Sequence, residues 1–159
     1  MTPPPSVTPE HNPTALASRQ YSTFTVGNFF FGIEVLEVQE VLRHLEMTKV
    51  PLSPSVIEGL INLRGQIVSA LDMRTRLGLS PRTEHETSMN MVVRSVDGAV
   101  SLLVDEIGDV IEVQADAFES TPDNLPPEQR DLIRGIYKLE GRLLLVLSTE
   151  RVLQVSAAN

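Results

Sequence analysis

The 159-residue chain has no cysteine and no tryptophan. The first absence excludes disulfides, thiolate nucleophiles and Cys-based metal sites. Aromatic residues are scarce as well, with five Phe and two Tyr. That leaves no stacking platform for the bases of a single-stranded nucleic acid. Basic residues are outnumbered, 13 against 21 acidic, for a formal charge of −8. A phosphate-backbone binder needs a basic stripe to displace counterions, so this balance argues against nucleic-acid partners. No run approaches the roughly 18 uninterrupted apolar residues of a membrane span, and the N-terminus lacks the charged-then-apolar pattern of a secretory signal. The expectation is a soluble, cytoplasmic protein with no direct membrane insertion.

Catalytic constellations are missing too. His11, His44 and His85 have no partner at metal-ligand spacing, and no H-E-x-x-H occurs. There is no G-x-S-x-G elbow and no phosphate-cradling glycine loop with a lysine. Only Lys49 and Lys138 are available for Schiff-base or phosphate-clamp chemistry. Asp105, Glu106, Asp109 and Glu112 form a carboxylate cluster without the alternating spacing of a calcium loop, and they read as a solvated strand edge. The sequence therefore predicts no enzyme, with no catalytic residue, metal or cofactor. A nucleic-acid-binding barrel and a small hydrolase are the other classes weighed. The first lacks basic charge and aromatics, the second a nucleophile–base pair.

What is present is β-hairpin patterning. Five of the eleven prolines fall within the first 13 residues, so residues 1–18 are expected to be a disordered Pro-rich tail. The folded domain is then 19–157. Tyr21 to Val26 and Phe29 to Val35 flank Gly27-Asn28, a hairpin signal. Apolar residues at 35, 38, 41 and 42, against Glu34, Glu37 and Glu40, predict a short amphipathic helix over 35–42. A second hairpin turns at Arg64-Gly65, and Asp72 caps a short helix that Gly78 closes.

The second half repeats this plan, with hairpins about Asp97-Gly98 and Glu140-Gly141 and a short helix over Thr149 to Leu153. GLINLRGQIVSAL (59–71) and GIYKLEGRLLLVL (135–147) match at Gly, Leu, Gly and the final Leu. Lone hairpins are marginal in water, so each half must curl and close its edges. The expected fold is all-β with short helices: two five-stranded SH3-like β-barrel lobes packed side by side. Lobe one is placed at about 19–85 and lobe two at about 86–157, with strand exchange between them left open.

Four ordered blocks carry a family resemblance: FFFGIEVLEVQEVL (29–42), VIEGLINLRGQIVSALDMRTRLGL (56–79), VSLLVDEIGDVIEV (100–113) and LIRGIYKLEGRLLLVLSTERVL (132–153). Together they resemble the CheW family of chemotaxis coupling proteins. The resemblance implies a non-enzymatic scaffold, or adaptor, that couples chemoreceptors to a CheA-type histidine kinase in chemotaxis, part of two-component signal transduction. Its implied partners are that kinase and the cytoplasmic tip of methyl-accepting chemoreceptors, with recruitment to receptor arrays at the inner membrane face. It also implies a receptor-binding segment at Val38, Glu40 and Val41, where an amphipathic helix would lie in a groove between the barrels. Coupling would depend on Arg64 with its neighbours Asn62 and Gly65. The family carries no kinase-contact motif that transfers to this sequence.

Overall fold

The computed structural model describes residues 17–83 and 86–154. The predicted tail lies outside the described residues except at its end, where Ser18 already belongs to the first strand. Ten strands form two five-stranded sheets. In chain order they are β1 (Ser18–Val26), β2 (Phe29–Glu34), β3 (Val38–Leu42), β4 (Ile57–Leu63), β5 (Gln66–Asp72), β6 (Met89–Ser95), β7 (Gly98–Val104), β8 (Glu106–Gln114), β9 (Ile133–Leu139) and β10 (Arg142–Leu147). Three one-turn α-helices, α1 (Met73–Arg76), α2 (Pro127–Arg130) and α3 (Thr149–Val152), and two 3-10 turns, Val35–Glu37 and Ala115–Ala117, complete the elements among the described residues. The Asp72 side chain accepts from Arg74 N–H and caps α1, and Gly78 closes it at φ +74°. α2 begins at Pro127, whose missing N–H costs nothing in the first turn of a helix.

The first sheet runs β8-β1-β2-β10-β9 and the second β3-β6-β7-β5-β4. The sheets do not follow a division near residue 85; strands are exchanged between the halves, the alternative that the sequence left open. Each half contributes its first hairpin to one sheet and its remaining three strands to the other. The cause is the length of the crossovers. A 3-10 turn, Val35–Glu37, joins β2 to β3, and Asp105 alone joins β7 to β8. Neither makes the reversing turn a third strand needs to pair beside its own hairpin. The chain instead runs on into the neighbouring sheet.

Each sheet closes at an equivalent point. Beyond β3, Thr48 bridges Leu60 through paired backbone bonds of 2.9 and 2.8 Å. Beyond β8, Glu119 bridges Ile136 at 2.8 and 2.9 Å. Leu60 and Ile136 are the residues just after Gly59 and Gly135, the glycines that head the repeated segment.

Burial explains the apolar runs. Leu145 and Leu147 of β10 face a large core shared by both sheets, with Phe24, Phe31, Met91 and Leu102. Leu144 and Val146, at alternate positions, join Tyr21 and Tyr137 inside the first barrel. A smaller cluster of Leu63, Val68 and Val92 lies in the second. A strand buried on both faces loses polar alternation.

Candidate functional site

The segment expected to be helical is strand from Val38 onward. Only Val35–Glu37 has helical backbone, and β3 pairs antiparallel with β6. A β-bulge between Val38 and Glu40 explains the misreading. Val38 pairs with Val93 and Val41 with Met91, two β6 residues on one face and both in the shared core. The extra residue thus places positions three apart on one side of a strand, imitating helical spacing. Val38 is half-buried and packs on the shared core, whereas Val41, nearer the strand's end, is 38% exposed. Glu40 pairs with Val92 and faces the opposite side.

On that side the fold brings the two sets of candidates together. Arg64 donates from Nη1 and Nη2 to the two Glu40 carboxylate oxygens, each at 2.6 Å. The pair ties edge strand β3 to the β4–β5 turn, across residues distant in sequence. Hydrogen bonding from Arg64 holds the half-buried Glu40 carboxyl below its ordinary range, and Glu40 in turn raises the guanidinium. Asn62 supports the turn, its Oδ1 accepting the Gly65 N–H at 2.9 Å.

The backbone of that turn is unusual. Arg64 has φ +54° and Gly65 φ +86°, the two left-handed residues of a type I′ hairpin. Among the described residues only Leu52 shares a positive φ with Arg64 outside glycine. The matching Glu140-Gly141 turn uses a positive φ at Gly141 alone. A bulky side chain held in the left-handed region costs energy and concentrates at functional positions. Here it aims the guanidinium at Glu40.

An open cleft of about 720 Å³ lies between the sheets near the far end of β3. Met89 of β6 lines one wall, and Thr25 of β1 with Ile107 of β8 the other. Leu42 pairs with Asn90, the neighbour of Met89, and Asn90 Nδ2 donates to Arg43 O at 2.9 Å, so β3 runs to the cleft. Glu86 and Glu106 rim it, and Arg82 and Asp105 also line it. Asp105 is the residue the sequence reading missed, having been grouped with a solvated edge. It is largely buried and accepts from Arg74 Nε at 3.0 Å, Arg74 Nη2 at 2.7 Å and Gly27 N–H at 2.7 Å. Arg82 lies 3.1 Å from it and 2.8 Å from Asp72. Its signal was D-x-R in the α1 segment, a cap followed by a cation. The rest of the carboxylate cluster lies along edge strand β8, and among the described residues no group of three potential ligands could hold a metal.

A family model for the CheW-like domain matches residues 20–157. The chain is 32% identical over 136 residues to the chemotaxis protein CheW of Bacillus subtilis, covering 86% of this chain and 87% of that one. It is 27% identical over 135 residues to the chemotaxis protein CheW of Klebsiella aerogenes, covering 85% and 81%. The crystal structure of the scaffolding protein TtCheW from Thermoanaerobacter tengcongensis superposes with a TM-score of 0.78 at 25% identity, covering 87% of this chain and 94% of that one.

Proposed function

The chain belongs to the CheW-like domain family, and from that premise we propose that it is a scaffold coupling chemoreceptors to a CheA-type histidine kinase. The observation that carries this reading is the Glu40–Arg64 pair. The receptor-binding segment and the coupling arginine, separate in sequence, form one charged contact on an exposed edge. Toward the far end of β3 the cleft between the sheets is mostly polar, with Met89 and Ile107 as its apolar members and Glu86 and Glu106 on its rim. Those features suit an amphipathic receptor helix that sets a few apolar residues against Met89 and Ile107 and whose basic residues meet the acidic rim. Val41 is exposed and available as an apolar contact; Val38 acts mainly from below, by fixing β3 on the core.

The test compares two bindings in the full chain: a helical-hairpin peptide of a chemoreceptor tip, and the regulatory domain of a CheA-type kinase. Glu40→Lys should fold, lose receptor-peptide affinity and keep kinase affinity near wild type. Arg64→Asn should do the same without lowering the melting temperature, because Asn tolerates the left-handed turn and an exposed ion pair contributes little. The exchange Glu40→Arg with Arg64→Glu should recover part of the affinity if the pair organises the surface. Equal loss of both bindings, or loss of neither, would remove β3 and its turn from the receptor site.

A further inference from the structure

Two crossovers carry the chain between the sheets, and they are pinned differently. At the first, Arg94 of β6 donates to the carbonyls of Leu36 and Val38 at 3.0 and 2.9 Å, and Thr149 donates to Glu37 at 2.6 Å. At the second, Asp105 is the whole connection, and charges surround it. Its N–H donates to Thr25 O at 3.0 Å, and its carboxylate takes the Gly27 N–H of the β1–β2 turn, holding it to the first sheet. The same carboxylate takes both prongs of Arg74 from α1, which follows β5 of the second sheet. Arg82 bridges Asp105 to Asp72, the last residue of β5, and donates to Leu103 O of β7 at 3.2 Å. Two cations and two anions thus join the sheets at one point. That point borders the cleft whose walls, Met89 on one side and Thr25 with Ile107 on the other, belong to different sheets.

We propose that the Asp72–Arg82–Asp105–Arg74 cluster is a positioning device that sets the spacing of the cleft walls, and thereby the fit of the partner helix. The proposal rests on the receptor reading for its occupant, while its geometric part stands apart from it. Charge-assisted and two-pronged bonds are short and directional, so the cluster fixes distance as well as holding the sheets together. A rigid helix entering between two separately built walls binds best when their spacing is already correct.

The absence of cysteine allows a direct measurement. Spin labels at Ile67→Cys on β5 and Gln114→Cys on β8, both exposed and one on each sheet, report the distance between the sheets by pulsed electron resonance. The parent should give one narrow distance distribution. Asp105→Asn should broaden or shift it, and in the unlabelled chain should weaken the receptor-tip peptide by about tenfold; Asp72→Asn, at a member of the cluster that does not line the cleft, should do the same and so separates spacing from direct contact. Should Asp105→Asn fail to fold, Arg82→Lys, which keeps the charge and loses the two-ended bridge, is measured in its place with the same expectation. A folded variant with an unchanged distribution overturns the proposal, as does a broadened distribution with wild-type peptide affinity. If the parent binds no receptor peptide, the receptor reading fails, and a broadened distribution would still establish the cluster as setting the spacing.

Discussion

Single residues decide where each barrel closes. A Cβ built on Gly135 would lie 2.6 Å from Glu119 O and 2.7 Å from Phe118 Cε1; one on Gly59 would lie 2.8 Å from Thr48 O. Each would meet the carbonyl that makes the closing bridge, which cannot move aside without breaking it, and at Gly135 the Phe118 ring lies closer still. Gly135→Ala should therefore cost about 1–3 kcal/mol, as overpacking does, read from the urea midpoint. Gly65→Ala meets nothing within 4 Å, so only its left-handed backbone resists and the cost should be about 1 kcal/mol. The duplicated glycines were visible in the sequence; their reason was not, because close backbone approach leaves no pattern along the chain. Asp105 allows a pH prediction. Burial pushes its carboxyl up, but the bonds from Arg74 and Gly27 outweigh that and hold it below the ordinary aspartate range. A lowered folded-state value adds stability that is complete above the unfolded value, about 3.9, and is lost as pH falls through the folded one. Asp105→Asn should thus flatten the acid limb of a plot of denaturation midpoint against pH. An unchanged limb would assign the acid sensitivity to other carboxylates.

At the scale of elements, hairpins were the legible part and β3 was not. Gly27-Asn28, Arg64-Gly65 and Glu140-Gly141 lie between strands as turn chemistry requires, since a positive φ is local and a glycine or a short polar residue announces it. Strand β3 misled because its bulge gave valines three apart a common face, a spacing shared with a helix. β-branched residues at 35, 38 and 41 were the contrary signal, since they lose side-chain freedom in a helix. The corrected geometry separates two side chains that a helix would have made equivalent. Val38→Asp places a carboxylate on the shared core and should destabilise by about 1–3 kcal/mol, with receptor and kinase binding falling together as the fold loosens. Val41→Asp, nearer solvent, should keep its melting temperature and lose receptor binding alone. Circular dichroism melts beside the two titrations check both; matched melting losses would mean that Val41 is as much a core residue as Val38.

The molecule as a whole is a duplication whose halves cannot be drawn apart. Repetition was readable because Gly, Leu, Gly and Leu recur at fixed offsets in the two closing hairpins. Which hairpin pairs with which was unreadable. Strands such as LLLVL and IVSAL are apolar on both faces, so no alternation marks an inner side, and the parallel pairings β2–β10 and β5–β7 join strands far apart in sequence. Exchange has a consequence for folding. Residues 1–85 contain β1 and β2 without their partners β8, β9 and β10, and β3, β4 and β5 without β6 and β7. Residues 86–159 are deprived in the complementary way. Either piece alone would expose unpaired strand edges and half of the shared core, where Phe24 and Phe31 of one half meet Met91 and Leu102 of the other. A hairpin without a face to bury it does not hold in water, so each fragment should show no cooperative melt and poor amide dispersion. Mixed at equal concentration they should reassemble, with a concentration-dependent melting temperature because the joined state is now bimolecular. Independent folding of residues 1–85 would mean that β1–β2 and β3–β5 can pair with each other, and that the exchange is one of two available packings.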